Sequence, residues 1–304
     1  MTLSILYRGT LSSCNYDCPY CPFAKRKDSR ATLATDARQL TQFVQFIRQT
    51  PDVRFRLFFT PWGEALIRNY YRQSLVELSH YDNVEKVAIQ TNLSCSLNWL
   101  KEAGRDKIAL WSTYHPGQTN RDTFLAKCSK LDEMGIAYSV GIVGFKDTID
   151  EIEAIRRLLP KERYVWVNAL KKKEDYYTPE EKERLIAVDP YIPYNMIHHE
   201  SKGRDCRTGH TVVSVDGNGN IYRCHFIKEK LGNLYEDDFR KILYPRVCTN
   251  PTCGCHIGYV HMDHLGLYDV YKGRELERIA SSMNAVNLPE EVAISSAPVS
   301  ILRS

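Results

Sequence analysis

The 304-residue sequence has no long apolar run and no N-terminal targeting pattern. No segment approaches the roughly 20 consecutive apolar residues that a membrane-spanning helix needs. The first residues, MTLSILYRGTLSS, lack a basic stretch followed by a long apolar run, so no secretory signal is predicted. We therefore expect a cytoplasmic protein without a membrane partner.

The sequence also lacks a dominant charge of either sign. Basic residues (41) and acidic residues (37) are mixed along the chain, and the net charge of +4 is too small to indicate a polyanionic partner. No nucleic acid is expected. With 43% hydrophobic and 26% charged residues, the composition is that of a globular protein with one large domain or two.

Cysteine, in contrast, is plentiful and grouped. Ten cysteines in a reducing compartment are not expected to form a disulfide framework, and clustered thiols inside a cell usually bind metal. Eight of the ten fall into an N-terminal and a C-terminal group. These groups are Cys14, Cys18 and Cys21, and Cys206, Cys224, Cys248, Cys253 and Cys255.

The first 170 residues alternate between short β-rich runs and amphipathic helical patterns. One helical face runs from Leu40 to Ile47, with Thr35 or Asp36 as the predicted cap. This alternation predicts βα units and a parallel sheet, and six units fit a partial (β/α)6 TIM-like barrel. The predicted strands lie near Leu3–Arg8, Val53–Phe59, Lys86–Gln90, Lys107–Ser112, Ala137–Ile142 and Tyr164–Ala169.

The pattern changes near residue 190. The segment HTVVSVDGNGNIYRCHF predicts two strands joined by a tight turn at Asp216–Gly219. We therefore predict a partial-barrel core over residues 1–190 and a small, cysteine-rich domain with a β-hairpin over 191–270. Residues 271–304 are predicted to form a C-terminal helix or tail.

The N-terminal cysteines form a C-x3-C-x2-C motif in the loop after the first predicted strand. In a parallel α/β barrel this loop lies at the face where active sites are built. Thiolate-rich sites favour iron–sulfur clusters or zinc. A cubane cluster has four irons, so three cysteines would leave one iron open to an external ligand. A zinc site completed by a distant histidine is the alternative.

With Tyr20 as its aromatic residue, the motif resembles the signature of the radical S-adenosylmethionine (SAM) superfamily. The resemblance implies a SAM-binding 4Fe-4S cluster whose open iron takes the amino and carboxylate groups of SAM. It further implies reductive cleavage of SAM to a 5′-deoxyadenosyl radical that abstracts hydrogen from a substrate. A reductant such as flavodoxin or ferredoxin would be a partner.

Later strand ends extend the resemblance. Trp62-Gly63-Glu64-Ala65 stands where the family has Gly-Gly-Glu-Pro, which implies that Gly63 and Glu64 contact the SAM amino group. Only the Gly-Glu centre of that motif is kept. A glycine in the fifth strand would permit close approach of adenine. The residues implied at the SAM site in the third, fourth and fifth strands are Asn92, Ser112, Gly141 and Val143.

The sequence does not single out a catalytic residue. His115 follows the fourth strand and is a candidate acid or base for the substrate, while Cys95 lies near the presumed active face. Either residue fits an ordinary structural role as well. Cys128 is predicted to be a core residue, and the run Lys171–Lys173 a solvated surface feature.

The C-terminal cysteines resemble a known extension of radical SAM enzymes. The C-x12-G-x4-C pattern resembles the opening of the SPASM/Twitch extension, and five cysteines suit the shortened Twitch form with one auxiliary 4Fe-4S cluster. Structural zinc is the alternative, with His225 or His256 as a further ligand. The expected cluster ligands are Cys206, Cys224, Cys253 and Cys255, with Cys248 as a substitute.

The resemblance implies an enzyme, namely a radical SAM oxidoreductase or modifying enzyme. A peptide or protein substrate is preferred, and oxidation of a small metabolite is the alternative. A hypothesis from a different class is a zinc-stabilised binding module without catalysis, which uses both cysteine groups for folding.

Overall fold

The chain forms a mixed α/β fold around a central sheet, and the computed structural model describes residues 1–23, 27–171, 175–282 and 292. The described strands are β1 (Thr2–Arg8), β2 (Arg54–Phe59), β3 (Val84–Thr91), β4 (Ile108–Thr113), β5 (Ala137–Gly144), β6 (Val165–Ala169), β7 (His199–Glu200), β8 (Asp205–Cys206), β9 (Val212–Asp216), β10 (Asn220–Tyr222), β11 (Lys230–Asn233), β12 (Arg246–Val247) and β13 (Thr252–Cys253). The described helices are α1 (Arg30–Arg48), α2 (Asn69–Ser79), α3 (Arg121–Glu133), α4 (Ile149–Leu158), α5 (Pro179–Val188), α6 (Ile192–Met196), α7 (Phe239–Ile242), α8 (His256–Tyr259) and α9 (Leu267–Tyr271).

The predicted parallel sheet is confirmed. Strands β1 to β6 pair in chain order and in parallel, and the sheet continues beyond β1 through β9, β10 and β11. Its two ends are β6 and β11, so within the described residues the sheet is open. Each predicted core strand agrees with the observed one to within a few residues, because these strands are apolar runs buried on both faces.

Neighbouring residues of one strand enter two different cores, one on each face of the sheet. Ile5 packs with the helices α1 to α5, whereas Leu6 packs on the opposite face with residues from the C-terminal segment. Leu57 and Phe58 repeat this division in β2. The alternation follows from the two-residue period of side chains along a strand.

Helix α1 begins earlier than predicted. Ser29 caps it, with its hydroxyl accepting a hydrogen bond from Thr32 N at 3.1 Å. The predicted cap at Thr35 or Asp36 is wrong. The first turns of α1 carry no apolar periodicity, and Asp36 is instead a buried residue that accepts hydrogen bonds from Leu11 N and the Tyr70 hydroxyl.

The predicted hairpin is confirmed and joins the main sheet. Strands β9 and β10 are antiparallel, and Gly219 adopts a φ of 80° at the end of the turn, a conformation that favours glycine. Strand β9 pairs in parallel with β1, for example Ser4 with Val212. The C-terminal segment thus extends the same sheet, while the boundary near residue 190 stays a prediction.

The residues after α9 lie across the second face of the sheet. The Glu275 carboxylate pairs with Arg56 of β2, and Glu277 Oε1 lies 3.3 Å from Lys86 Nζ of β3. Ser139 of β5 donates to the Glu277 carbonyl oxygen at 2.9 Å. Most of the predicted tail, from residue 283 onwards, lies outside the described residues. Nowhere in the described ranges is a helix both long and apolar enough to cross a membrane.

Candidate active site

A cavity of about 500 Å³ opens at the carboxyl ends of strands β2 to β6. In parallel α/β folds this edge is where ligands bind, because the loops that follow the strands converge there. The three N-terminal cysteines line the cavity. Most of the predicted SAM-site residues line it as well, together with aromatic and polar residues at or near the strand ends. The residues concerned are Tyr20, Gly63, Glu64, Thr91, Asn92, Thr113, His115, Val143, Phe145, Trp166 and Lys171.

Asp28 holds the start of the cysteine loop. Its carboxylate accepts hydrogen bonds from Ser12 N at 2.9 Å, Ser12 Oγ at 2.8 Å and Ser13 N at 2.8 Å. Partial burial raises the pKa of Asp28, but these hydrogen bonds outweigh it and the net pKa is lowered. An ionised carboxylate therefore fixes the backbone immediately before Cys14.

Gly63 permits close contact between the loop after β2 and the cysteine loop. A Cβ at this position would lie 1.9 Å from the carbonyl oxygen of Ser13, so no larger residue fits without moving backbone. The same carbonyl accepts a hydrogen bond from Glu64 N at 3.1 Å. The Gly-Glu pair therefore joins the two loops, and Gly63 also lines the cavity.

Glu64 is a buried carboxylate held by three donors. Oε1 accepts from Leu66 N at 3.0 Å and from Thr91 Oγ1 at 2.9 Å, and Oε2 accepts from Asn92 N at 2.5 Å. Burial raises its pKa to about 7, against the lowering effect of these hydrogen bonds. A cationic ligand beside Glu64 would stabilise the ionised form.

Tyr20 and His115 form a pair in the cavity wall. The Tyr20 hydroxyl lies 2.8 Å from His115 Nδ1, and the Tyr20 ring also packs on Phe145 with a centroid distance of 5.0 Å. Burial lowers the pKa of His115 to about 4, so the ring is neutral near pH 7. The structure places this predicted candidate in the cavity, where it orients Tyr20.

Two thiols of the first group, those of Cys14 and Cys18, have raised pKa values. Burial raises the pKa of Cys14 and of Cys18, and each of these thiols is further disfavoured as a thiolate by Cys21. Tyr16 N donates to Cys14 Sγ at 3.4 Å. All three cysteines belong to one loop and line the same cavity.

Asn92 and Val143, two of the predicted SAM-site residues, line the cavity, and Asn92 also contacts the cysteine loop. Asn92 Nδ2 donates to Asn15 Oδ1 at 3.1 Å and lies 3.7 Å from Cys14 Sγ. The end of β3 is therefore tied both to Glu64, through Asn92 N, and to the first cysteine.

Two predicted SAM-site residues do not line the cavity, which corrects the prediction. The space beside Gly141 is filled by Trp166, because a Cβ there would lie 1.9 Å from the indole Cζ2, so this glycine accommodates an aromatic side chain of the next strand. Ser112 is fully buried, and the following residue, Thr113, lines the cavity in its place.

Cys95 was expected near the active face, but it lies away from the cavity in a separate recess beside α3. Burial raises the pKa of its thiol to about 11, which makes it a poor nucleophile. The core assignment of Cys128 is confirmed, with 1% of the residue exposed. Neither cysteine contributes to the candidate site.

Sequence reasoning missed Asp28, Trp166 and Lys171. Lys171 follows the end of β6, which is the same positional signal that selected His115, but the triple-lysine run suggested solvation. That prediction is wrong for Lys171, which lines the cavity, and the other two lysines lie outside the described residues. Burial lowers the pKa of Lys171 to about 8, and its Nζ donates to the Gly254 carbonyl oxygen.

The second cysteine group comes together from several short elements. Burial raises the pKa of Cys224 to about 11, and the neighbouring thiols of Cys206 and Cys248 add to the increase. The pKa of Cys253 is raised to about 12 for the same reason, with further contributions from Cys224 and Cys255. Each of these five thiols thus interacts electrostatically with at least one other thiol of the group.

The two histidines of this region differ in whether their ring nitrogens have hydrogen-bond partners. His225 Nε2 lies 2.8 Å from Thr60 Oγ1, and its Nδ1 lies 2.5 Å from Ser214 Oγ, so both ring nitrogens have hydroxyl partners. The His256 ring packs edge-on against Trp111 in the second core. The His256 Nε2 atom is buried and has no hydrogen-bond partner among the described residues. In residues 1–23, 27–171 and 175–282, no three His, Cys, Asp or Glu side chains are arranged around a single metal ion.

Comparison with known proteins finds no matching family model and no matching curated protein. Several solved structures are similar to this chain. Native anSMEcpe with bound AdoMet and Cp18Cys peptide is 14% identical with a TM-score of 0.49, and the match covers 79% of this chain and 82% of that chain. BtrN in complex with AdoMet and 2-DOIA is 18% identical with a TM-score of 0.35, covering 79% and 87%. HydG, a maturase of the FeFe-hydrogenase, is 16% identical with a TM-score of 0.39, covering 62% and 49%.

Proposed function

We propose that this protein is a radical SAM enzyme, in which Cys14, Cys18 and Cys21 hold a 4Fe-4S cluster and SAM binds in the adjoining cavity. One observation carries the proposal. The three thiols line the same 500 Å³ cavity as the buried Glu64 carboxylate, at the carboxyl ends of the parallel strands.

The donor set fits a cluster with one open position. A closed structural zinc site needs four protein ligands, whereas this loop supplies three thiols. His115 is the one histidine among the described residues that line the cavity, and its Nδ1 is engaged with the Tyr20 hydroxyl. Thiolates are the preferred ligands of iron–sulfur clusters, and each one binds a different iron.

When bound, the cluster and SAM would together supply a 5′-deoxyadenosyl radical that abstracts hydrogen from the substrate. The protein's own part is to bind, orient and exclude water. Glu64, fixed by three donors, presents a carboxylate to the SAM amino group. Tyr20, Val143 and Phe145 supply an apolar wall for the adenosyl group, and His115 holds Tyr20 in place.

The second cysteine group is proposed to hold an auxiliary 4Fe-4S cluster, as in a Twitch-like domain. The thiols support this proposal over zinc with His225 as a ligand, because both nitrogens of His225 have other partners. The proposed ligands are Cys206, Cys224, Cys253 and Cys255, with Cys248 as a substitute.

The proposed reaction is an oxidation or modification of a peptide or protein, with flavodoxin or ferredoxin as the reductant in the cytoplasm. A cluster held entirely by cysteines suits the removal of an electron from substrate. Oxidation of a small metabolite is the second candidate, since a 500 Å³ cavity shared with SAM also suits a small molecule.

The core reaction is tested by mixing the anaerobically purified, reduced protein with SAM and measuring 5′-deoxyadenosine by liquid chromatography. We expect cleavage in the wild type and none in Cys14→Ala, which should keep the iron and sulfide of the second group. Cys95→Ala, outside the cavity, serves as the matched control and should cleave SAM normally. Cleavage by Cys14→Ala, or zinc in place of iron in the wild type, would contradict the proposal.

A further inference from the structure

Lys127 of helix α3 binds the backbone of the loop that follows β3. Its Nζ donates hydrogen bonds to the carbonyl oxygens of Leu93 at 2.7 Å, Ser94 at 2.7 Å and Cys95 at 3.0 Å. An ammonium group has three N–H donors, so three consecutive residues use all of them. Among the described residues, no backbone amide donates to these three carbonyl oxygens. Lys127 therefore takes the place of the amide donors that a helix or strand would supply.

The loop bound in this way contains a strained turn. Leu93 has a φ of 57°, which lies in the left-handed region that favours glycine, and 1% of the residue is exposed. Its backbone N donates to Thr91 Oγ1 at 3.0 Å. Strained backbone persists only where its surroundings fix it, and it concentrates at functional sites. The contacts with Lys127 and Thr91 fix the turn here.

The strained turn brings the residues on either side of it to the candidate site. Asn92 N donates to Glu64 Oε2 at 2.5 Å, and Asn92 Nδ2 donates to Asn15 Oδ1 at 3.1 Å. On the other side of the turn, Ser94 Oγ accepts from Asn15 Nδ2 at 3.0 Å, and Ser94 N donates to Asn92 Oδ1 at 2.9 Å. Asn15 follows Cys14 in the chain. A movement of the turn would therefore change contacts with both the buried carboxylate and the cysteine loop.

Lys127 itself does not belong to the wall of the cavity. It lines the separate recess beside α3, together with Cys95 and Lys130. Its effect on a ligand in the cavity would therefore pass through the loop, and direct contact with that ligand is not part of its role.

We propose that Lys127 is a positioning residue of the SAM site. By binding three consecutive carbonyl oxygens, it fixes the strained turn so that Asn92 reaches both Glu64 and the cysteine loop. The inference rests on the proposed function, because SAM is the ligand whose amino group the Glu64 carboxylate would bind. The effect of Lys127 on the turn is a property of this chain alone, and it can be measured without SAM.

The first measurement is hydrogen–deuterium exchange of the anaerobically purified protein without SAM, followed by mass spectrometry. Lys127→Met removes the ammonium group and keeps an unbranched side chain. We expect the amides in peptides spanning residues 91–95 to exchange about tenfold faster in this variant, because the strained turn loses three hydrogen bonds from a charged donor. Lys127→Gln keeps amide donors and replaces Lys127→Met if that variant does not fold, with a smaller increase expected in the same peptides.

The second measurement is the dependence of 5′-deoxyadenosine formation on the concentration of SAM. In Lys127→Met we expect the KM for SAM to rise about tenfold and kcat to change less than about twofold, because displaced Asn92 and Glu64 would weaken binding in the ground and transition states alike. A variant that was merely less stable would contain less active protein, which lowers kcat and leaves KM unchanged. Lys127→Arg keeps the charge and several donors, so its KM should lie closer to that of the wild type than to that of Lys127→Met.

Lys130→Met is the matched control, since Lys130 lies on the same helix, lines the same recess and is exposed. Its exchange rates and its KM should equal those of the wild type. Equal exchange in wild type and Lys127→Met, or an equal change in Lys130→Met, would overturn the effect of Lys127 on the turn. Faster exchange with an unchanged KM would overturn its role at the SAM site. Absence of SAM cleavage by the wild type would instead overturn the proposed function, and with it the link to SAM.

Discussion

At the scale of single residues, the cavity is organised by charges that have few counter-charges. Glu64 is 2% exposed and is held by hydrogen bonds, and Lys171 is held by a carbonyl oxygen. Such groups are costly to bury unless a ligand completes their surroundings. An ammonium group beside Glu64 and a negatively charged centre beside Lys171 would do so.

Glu64 should make stability depend on pH. Its pKa rises from an ordinary 4.5 to about 7 on folding, so between these values the folded state binds more protons than the unfolded state. The free energy of unfolding should therefore fall as pH rises from about 4.5 to 7, by about 3 kcal/mol for this group alone. Urea unfolding of the anaerobic protein at pH 5, 6, 7 and 8 measures this.

Glu64→Gln provides the comparison, because glutamine does not titrate while the other groups of the chain are unchanged. The pH dependence of the variant should be weaker than that of the wild type over this interval. Parallel curves for the two proteins would show that the carboxyl group does not titrate near 7 in the folded state.

Predictability from sequence differed between residues for a physical reason. Cys14, Cys18, Cys21 and Glu64 belong to short local motifs, so the sequence placed them together. Trp166 fills the space beside Gly141 from the neighbouring strand, and that contact depends on strand register. No local pattern reports a cross-strand contact of this kind.

At the scale of elements, the loop after β1 is fixed by contacts with residues that follow it. Asp28 joins Ser12 and Ser13 to the residues just before α1, and Gln118 Oε1 accepts from Asp17 N at 2.8 Å. The loop is thus held at its start and in its middle, which keeps its thiols near one place.

Asp28→Ala should loosen this loop. A hydrogen bond to a charged group is worth about 1.5–3 kcal/mol, so loss of these contacts should speed the release of iron from the proposed N-terminal cluster about tenfold or more. Transfer of iron to a coloured chelator measures the rate. Asp82→Ala, which removes an exposed aspartate, should release iron at the wild-type rate. Equal rates in both variants would argue against the anchoring role of Asp28.

The bounds of the core strands could be predicted, whereas the start of α1 could not. Apolar runs buried on both faces of a sheet stand out in a sequence, as in β1 and β4. The first turns of α1 face solvent, and Ser29 is an ordinary polar residue among several. Capping geometry, which the sequence does not reveal uniquely, decided between Ser29 and the later candidates.

At the scale of the whole molecule, the C-terminal segment closes one face of the sheet through buried ion pairs. Glu275 has no exposed side-chain surface, and its partner Arg56 has 14%. Burial lowers the pKa of Arg56, but Glu275 outweighs this effect and the net pKa is raised. The pair thus joins residues more than 200 positions apart.

Glu275→Ala should lower the free energy of unfolding by about 3–5 kcal/mol, because it removes the carboxylate that pairs directly with the Arg56 charge. Glu85→Ala is the matched control in the neighbouring strand. Its pair with Arg54 is solvent-exposed and should contribute less than about 1 kcal/mol. Urea unfolding of both variants gives the comparison, and similar losses would show that the C-terminal segment does not depend on this ion pair.

The pairing of β9 with β1 could not be predicted from the sequence. It joins residues about 200 positions apart, and nothing in the hairpin pattern states which strand edge it will meet. The hairpin itself was predictable because its turn is local.

This pairing has a consequence for the two thiol groups. Strand β1 leads into the first, and β10, the partner of β9, leads into Cys224 of the second. Neighbouring strands lie about 4.8 Å apart, and their register is set by backbone hydrogen bonds. The strands that lead into the two thiol groups are therefore held at a fixed spacing by backbone hydrogen bonds. Any electron transfer between the two groups would then take place over a constant distance and would need no motion of one group relative to the other.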